Sequence, residues 1–347
     1  MSEATSALAA YLDDQLGSHE PLRVEPMTGG GSCEIFAVER ASERWVLRRA
    51  PRHASSSTAH DVLREHRILA AIAGHGARIA TPVLACADPS VFGAPFYVME
   101  RIDGVPVRMG IPEPWVAQPE TQGRAVEELV DALVEVHAVD WQAVGLGDLG
   151  HPGRFLERQV GRWLSQLASY GGRELSIARE ISRWLDDNRP AEQPPVLFHG
   201  DYKLDNVLFA TTAPPRLLAV VDWEMASIGD PLVDLAWAMI FHPEPGATMP
   251  LGAHGDHRFS LERMPSSAAM VERYAKRSRR DVSAIAWYEV FARWKLAIVL
   301  EGSYAKFVRG ESSKPIHEFF GSQVDLLLAS AADRVAGGVA WARRRST

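Results

Sequence analysis

Lysine is scarce in this 347-residue chain. Five of its 37 Lys and Arg residues are lysines (Lys203, Lys276, Lys295, Lys306 and Lys314), and the first 202 residues contain none. Any chemistry in the N-terminal half that needs a cation must therefore use arginine. Net positive charge is missing as well, because 44 Asp and Glu leave a formal charge of -7. Counterion-driven binding needs a basic footprint, so a duplex-coating role is excluded and no nucleic-acid partner is expected. Two cysteines, Cys33 and Cys86, cannot build a disulfide framework in so long a chain. Their number suits a reducing compartment. No run approaches the roughly 18 uncharged apolar residues of a membrane-spanning helix, so no membrane partner is expected. Met1 to Gly17 carries Glu3, Asp13 and Asp14 with no basic stretch ahead of an apolar one. It reads as a mature amphipathic helix and not as a signal peptide. The expectation is a soluble, cytoplasmic globular protein.

What is present is enough apolar residue, 46%, for a large core. At roughly 150 residues per domain, the length predicts about two domains or lobes. Leu22–Thr28, Glu34–Arg40 and Trp45–Arg49 are short apolar-rich runs broken by Gly29-Gly30-Gly31-Ser32 and by a polar turn, which is a hairpin pattern. A helix is predicted from about Asp61 to Ala73, closed by Gly74. Two further strands are predicted at Val83–Ala87 and Pro95–Ile102. Five strands and one internal helix make the first hundred residues an α+β unit. From Asp103 onward helical periodicity dominates, so the boundary falls between lobes 1–103 and 104–347. The exception is Val196–Trp223, where apolar triplets bracket a polar loop.

That loop, His199-Gly200-Asp201-Tyr202-Lys203-Leu204-Asp205-Asn206, is the densest constellation in the chain. Asp201 and Asn206 can converge on one ligand while the flanking strands fix the loop. Asp222 follows at the end of a third apolar run, with Trp223-Glu224 after it. Asp, Asn and Asp form a hard, oxygen-rich set suited to Mg2+, which keeps waters and substrate phosphates as its other ligands. One carboxylate is left to orient a hydroxyl nucleophile. Phosphoryl transfer asks for this division, being mostly positioning and charge neutralisation.

His199–Asn206 and Asp222-Trp223-Glu224, followed by Gly229-Asp230-Pro231 and Asp234-Leu235-Ala236, resemble the aminoglycoside phosphotransferase family, a branch of the protein-kinase-like fold. The resemblance implies a bilobal fold, with a small antiparallel-sheet lobe and a larger, mainly helical lobe, and ATP in the cleft between them. It makes Asp201 the catalytic base and Asn206 and Asp222 the Mg2+ ligands. Lys203, two residues after the base, would neutralise charge on the transferring phosphate or else pair with Asp205. Asp230 and Asp234 are expected to cap and brace the following helix. Glu224 would extend the metal site or support it from behind.

Kinases need a cation on the third strand, paired with a glutamate on the next helix. With no lysine available, that position falls on Arg48, and Arg49 should alternate to the opposite face. Val62, Glu65, Leu69 and Ile72 share a helix face, and a carboxylate directed towards a core needs a partner. Glu65 is therefore assigned to Arg48. Gly30, Gly31 and Ser32 would cover the ATP phosphates through backbone N–H groups. Phe96–Ile102 resembles the interlobe hinge, where backbone groups of Glu100 to Ile102 would bond the adenine edge and Met99 would pack nearby.

His254-Gly255-Asp256 repeats the loop triplet, but no strand precedes it and position 261 is Leu. It reads as a chance match, and His242, His254 and His257 fit no zinc spacing. Arg273–Arg280 and Arg343–Arg345 are basic clusters, solvated by default, and could attract a phosphate-bearing acceptor. Such charge does not favour a polycationic aminoglycoside. Gly29–Phe36, Trp45–Pro51 and Val221–Asp234 look more like the kinase-like domains associated with acyl-CoA dehydrogenases. That resemblance implies a hydroxyacyl-CoA or hydroxy acid acceptor and a functional link to such a dehydrogenase. An aminoglycoside, amino-alcohol or sugar kinase and a nucleotide-binding pseudokinase scaffold are the rival readings.

Overall fold

The structure is a computed structural model, and it describes residues 3–17, 19–27, 33–51, 61–107, 110–242 and 259–345. The first lobe contains helix α1 (Glu3–Leu16), strands β1 (Leu22–Met27), β2 (Glu34–Arg40) and β3 (Glu43–Arg49), helix α2 (Val62–Ile72), strand β4 (Pro82–Cys86), a short helix α3 (Pro89–Phe92) and strand β5 (Phe96–Glu100). The five strands form one antiparallel sheet in the order β1-β2-β3-β5-β4. The expected N-terminal amphipathic helix is α1, which packs on the sheet. One element exceeds the expectation, α3, which fills the Asp88 to Gly93 turn with its Ser90 amide capped by Asp88.

The alternation of β3 decides what each face of the sheet does. Trp45 and Leu47 pack outward with Leu8 and Leu12 of α1 and with Phe96 and Val98 of β5. Arg49 points the same way, with its guanidinium over the rings of Phe36 and Phe92 and bonded to Glu34 and the Phe92 carbonyl. Val46 and Arg48 face the other way, into the cleft. Helix α2 starts where Asp61 accepts the amides of Leu63 and Arg64. It buries Val62, Glu65, Ile68, Leu69 and Ile72, one face of the helix.

The second lobe runs through β6 (Val105–Pro106), α4 (Glu113–Ala117), α5 (Gly123–His137), α6 (Phe155–Ser169), α7 (Ser176–Asp187), β7 (Val196–Phe198), β8 (Val207–Phe209), β9 (Leu217–Val220) and β10 (Ser227–Gly229). It ends in α8 (Leu232–Ile240), α9 (Ser267–Ser278), α10 (Ile285–Val308) and α11 (Pro315–Arg345). All nine residues of α8 are buried, the pattern of a central helix with neighbours on every side. Trp287, Phe291 and Trp294 of α10 are core residues. The short strands form two small sheets, β10-β7 and β6-β8-β9, and these carry the loops of the site. Gly104 lies where a Cβ would come within 3.0 Å of the Phe209 carbonyl oxygen, so the interlobe crossing runs tight against β8. No helix among the described residues is long and apolar enough to cross a membrane.

Candidate active site

The catalytic loop leaves β7 and returns as β8. Gly200 takes φ +87, and a Cβ there would fall 2.5 Å from the Met225 carbonyl oxygen, so both conformation and space require glycine. The loop is held from below by one carboxylate. Asp234 of α8 is fully buried and accepts the backbone amides of His199 at 2.6 Å and Gly200 at 2.8 Å. The expectation that Asp234 braces its own helix is thus corrected, because it braces the loop instead. Asp230 does cap, accepting the Leu232 amide at 3.0 Å. Burial pushes His137 below the ordinary imidazole range. In the neutral form its Nε2–H reaches Asp234 at 3.4 Å while Nδ1 accepts from the Tyr274 hydroxyl at 2.8 Å.

Four donor contacts converge on the Asp201 carboxylate. Lys203 Nζ bonds Oδ1 at 2.9 Å and Oδ2 at 2.8 Å, Trp237 Nε1 donates to Oδ1 at 2.8 Å, and Asn206 Nδ2 donates to Oδ2 at 2.8 Å. Burial alone would raise this carboxyl, but Lys203 and Trp237 overcome it and hold Asp201 below the usual carboxylate range. Lys203 therefore pairs with the predicted base, where sequence had left open a pairing with Asp205. Trp237 carries no signal in the loop motif. It lies 36 residues beyond Asp201, and its only hint was an aromatic residue three positions after Asp234.

Across the cleft, Arg48 Nε lies 3.2 Å from Glu65 Oε2, and its Nη2 donates to Asp222 Oδ1 at 2.9 Å. Glu65 is 2% exposed, so its charge must be answered by protein groups and not by water. Its other oxygen accepts the Trp223 amide at 3.0 Å, which ties α2 to the Asp222 turn. Burial pushes the Glu65 carboxyl up against the pull of Arg48. Burial also opposes charge on Arg48, yet Glu65, Tyr97 and Asp222 together keep the guanidinium protonated beyond its ordinary range. Asp222 takes φ 71, a left-handed conformation that non-glycine residues seldom adopt.

These groups surround one cavity of 750 Å³ lined by Arg48, Met99, Glu100, Ile102, Asp201, Lys203, Asn206 and Asp222. Gly30, Gly31 and Ser32 lie outside the described residues, but the strands they join approach the cavity, which Met27 and Ile35 line. At the hinge, the Glu100 and Arg101 amides donate to the Thr81 and Arg44 carbonyls. Among the described residues the Ile102 amide has no such partner.

The donor set fits Mg2+. Asn206 spends its amide nitrogen on the Asp201 carbonyl and carboxylate, which turns the side-chain oxygen free as a ligand beside Asp222. The Val221 amide donates to the Asn206 carbonyl at 2.9 Å, so backbone pairing fixes the two positions relative to each other. No group of three His, Cys, Asp or Glu able to hold a metal occurs among the described residues. Two protein oxygens with phosphate and water completing the shell is the arrangement Mg2+ favours.

The other sequence features lie elsewhere. Arg273 makes a two-pronged bond to Asp131 at 2.8 Å, Arg277 is 3.4 Å from the same carboxylate, and Arg280 bonds the Pro194 carbonyl. This basic cluster is built into the α5–α9 packing and lines no part of the cavity. His242 bonds the Pro265 carbonyl, and His254 and His257 are outside the described residues.

A sheet lobe, a helical lobe and a cleft with these groups define a protein-kinase-like fold. The chain belongs to the phosphotransferase enzyme family, whose model matches residues 23–270. A candidate aminoglycoside phosphotransferase from Ralstonia eutropha superposes with a TM-score of 0.82 at 27% identity, covering 96% of this chain and 98% of that one. A choline kinase from Cryptosporidium parvum shares the fold, with a TM-score of 0.62 at 13% identity over 96% of this chain and 97% of its own. Among curated proteins, rat acyl-CoA dehydrogenase family member 11 is 30% identical over 88% of this chain and 40% of its own length. Mouse family member 10 is 28% identical over 90% of this chain and 29% of its own length. The chain thus spans well under half of these relatives. Viomycin phosphotransferase from Streptomyces vinaceus is 33% identical over 41% of this chain and 48% of its own.

Proposed function

We propose that the protein transfers the γ-phosphate of ATP to the hydroxyl of a small molecule, a hydroxyacyl-CoA or a hydroxy acid. The observation that carries this reading is the convergence of Asp201, Asn206, Asp222 and Arg48 on one cavity at the interlobe crossing. Mg2+, when bound by Asn206 and Asp222, supplies neutralising charge at the nucleotide phosphates. Arg48, kept charged by Glu65, positions those phosphates, and the Ile102 amide donates to the adenine edge beside Met99. Gly30, Gly31 and Ser32 are assigned to the phosphates by the family resemblance of their sequence alone.

Asp201 orients the acceptor hydroxyl and receives its proton as the oxygen attacks the γ-phosphorus and the bond to the β,γ-bridging oxygen breaks, with ADP leaving. With its lowered pKa it is a weak base, so its contribution is largely orientation, as loose phosphoryl-transfer transition states require. For a hydroxyl to bond Asp201, one of the four donor contacts must give way. Lys203 is the group suited to do so, moving its charge from the carboxylate to the transferring phosphoryl group.

The acyl-CoA dehydrogenase relatives support an acyl acceptor and a functional link to such an enzyme. Viomycin phosphotransferase supports the rival reading, an aminoglycoside or amino-alcohol acceptor. ATP consumption by the wild type and by Asp201→Ala, measured across hydroxyacyl-CoAs, hydroxy acids, amino alcohols and aminoglycosides, tests both. The expected result is turnover with an acyl acceptor and a loss of about a hundredfold or more in the variant. Equal background rates in both proteins, with ATP still bound, would establish a nucleotide-binding scaffold instead. Rapid turnover of aminoglycosides alone would overturn the acceptor assignment.

A further inference from the structure

A second cavity, of 420 Å³, opens beside Gly200 of the catalytic loop. Its apolar wall includes Phe155 and Trp163 of α6, Phe198 of β7 and Phe291 of α10. Set into that wall is Lys295 of α10, 8% exposed. Among the described residues its ammonium makes no hydrogen bond or ion pair. It rests instead against two ring faces, 4.3 Å from the Trp237 centroid and 5.3 Å from that of Trp163. Ring faces offset part of the cost of a buried cation, but no carboxylate among the described residues reaches ion-pair contact, and Asp234 and Asp201 act on it only at longer range. Two further donors lie beside it. Among the described residues, the Arg162 guanidinium is over the Trp163 ring at 6.0 Å without a carboxylate partner, and Trp163 Nε1 is buried with no acceptor. The carboxylates on the wall do not answer them, since Asp61 caps α2 and Glu224 has a partner of its own.

From this unmatched donor set beside the catalytic loop, we infer that the cavity is the acceptor subsite and that Lys295 receives the carboxylate of a free hydroxy acid. Trp237 sets the spacing. Its Nε1 edge donates to Asp201 at 2.8 Å while its face carries Lys295, so one indole separates the base from the ammonium. Asp201 lines the first cavity and Gly200 the second, so a short hydrocarbon spacer would have to pass the catalytic loop to join the two ends. A polycationic acceptor would meet Lys295 and Arg162 and be repelled. Desolvation holds Lys295 down to about 8, with Asp234 and Asp201 pulling it up and Arg162 and Lys203 pushing it down. A carboxylate seated there supplies the counter-charge. The inference rests on the phosphotransfer reading and narrows its acceptor from acyl compounds generally to free acids.

Calorimetric titration without nucleotide tests it. Short-chain ω-hydroxy acids and their matched hydroxy amides are titrated into the wild type, Lys295→Met and Lys295→Arg, with ATP binding measured separately to confirm that each variant is folded. The wild type should bind an acid at least about tenfold more tightly than its amide. Lys295→Met should lose about tenfold to a hundredfold in acid affinity and lose the preference, whereas Lys295→Arg should recover it. Equal binding of acid and amide by the wild type, or an undiminished preference in Lys295→Met, overturns the subsite. An acid preference that depends on Lys295 in a protein that transfers no phosphate sustains the subsite and defeats the phosphotransfer reading. Transfer to neutral hydroxyl compounds with no acid preference does the reverse.

Discussion

On the sheet side of the cleft, Arg48 is 6% exposed and shares two carboxylates that reach it from different elements, Glu65 of α2 and Asp222 beyond β9. On the loop side, Lys203 and Asp201 are two residues apart in the chain, and their side chains are 20% and 27% exposed. The first arrangement joins three separate pieces of backbone, while the second is closed within one loop and steadied by Trp237. A buried pair fails expensively when one member is removed, because the other is left charged and desolvated. A partly exposed pair loses less, because water can replace the partner. The sheet-side cation is therefore a structural tie as well as the proposed phosphate ligand, and the loop-side cation is the one suited to act as a moving part.

Glu65→Gln should break that contrast most severely. It leaves Arg48 buried with Asp222 alone, and a loss of about 3–5 kcal/mol in denaturant-measured stability is expected, with weakened ATP binding. Lys203→Met should leave stability within about 1 kcal/mol of wild type. Its kcat should nevertheless fall about tenfold or more while the KM for ATP changes little, and a raised KM with kcat unchanged would show instead that Lys203 only binds ground-state phosphate. Trp237→Phe removes one hydrogen bond from Asp201. Because that bond helps to hold the carboxyl below its ordinary value, its removal raises the pKa. The ionised form is the active one, so activity in the variant should be lost at a higher pH on acidification, read as a shift in the acid limb of kcat/KM. The same sign applies to stability. A depressed Asp201 stabilises the fold above its unfolded pKa, and that contribution disappears as the pH falls through the folded value.

What sequence made legible divides along the same line. Asp201, Lys203 and Asn206 are near neighbours in the chain, and a loop between two apolar triplets forces them together whatever the rest of the molecule does. Arg48 and Glu65 were reachable because the absence of lysine narrowed the choice and the helix face of α2 fixed the glutamate. Trp237, Lys295 and His137 gave no such sign. Each sits inside a helical pattern where an aromatic or a long side chain reads as core, and its approach to the loop depends on how α5, α8 and α10 pack. The role of Asp234 was misjudged for that reason, since a carboxylate in the first turn of a helix ordinarily serves that helix. The left-handed turn at Asp222 is likewise a tertiary product, imposed by the Glu65 bond to the next amide and by Arg48 on its carboxylate.

The anchoring of the catalytic loop by Asp234 also bears on how the protein comes apart. Loops that carry chemistry usually open early, and their amides exchange with solvent well before the core does. Here the His199 and Gly200 amides donate to a carboxylate with no solvent exposure, on a helix buried along its whole length. To release them, α8 must leave the interior. These two amides should therefore exchange with deuterium as slowly as those of α8 itself, and on heating, catalytic competence should persist until the helical lobe melts as a unit.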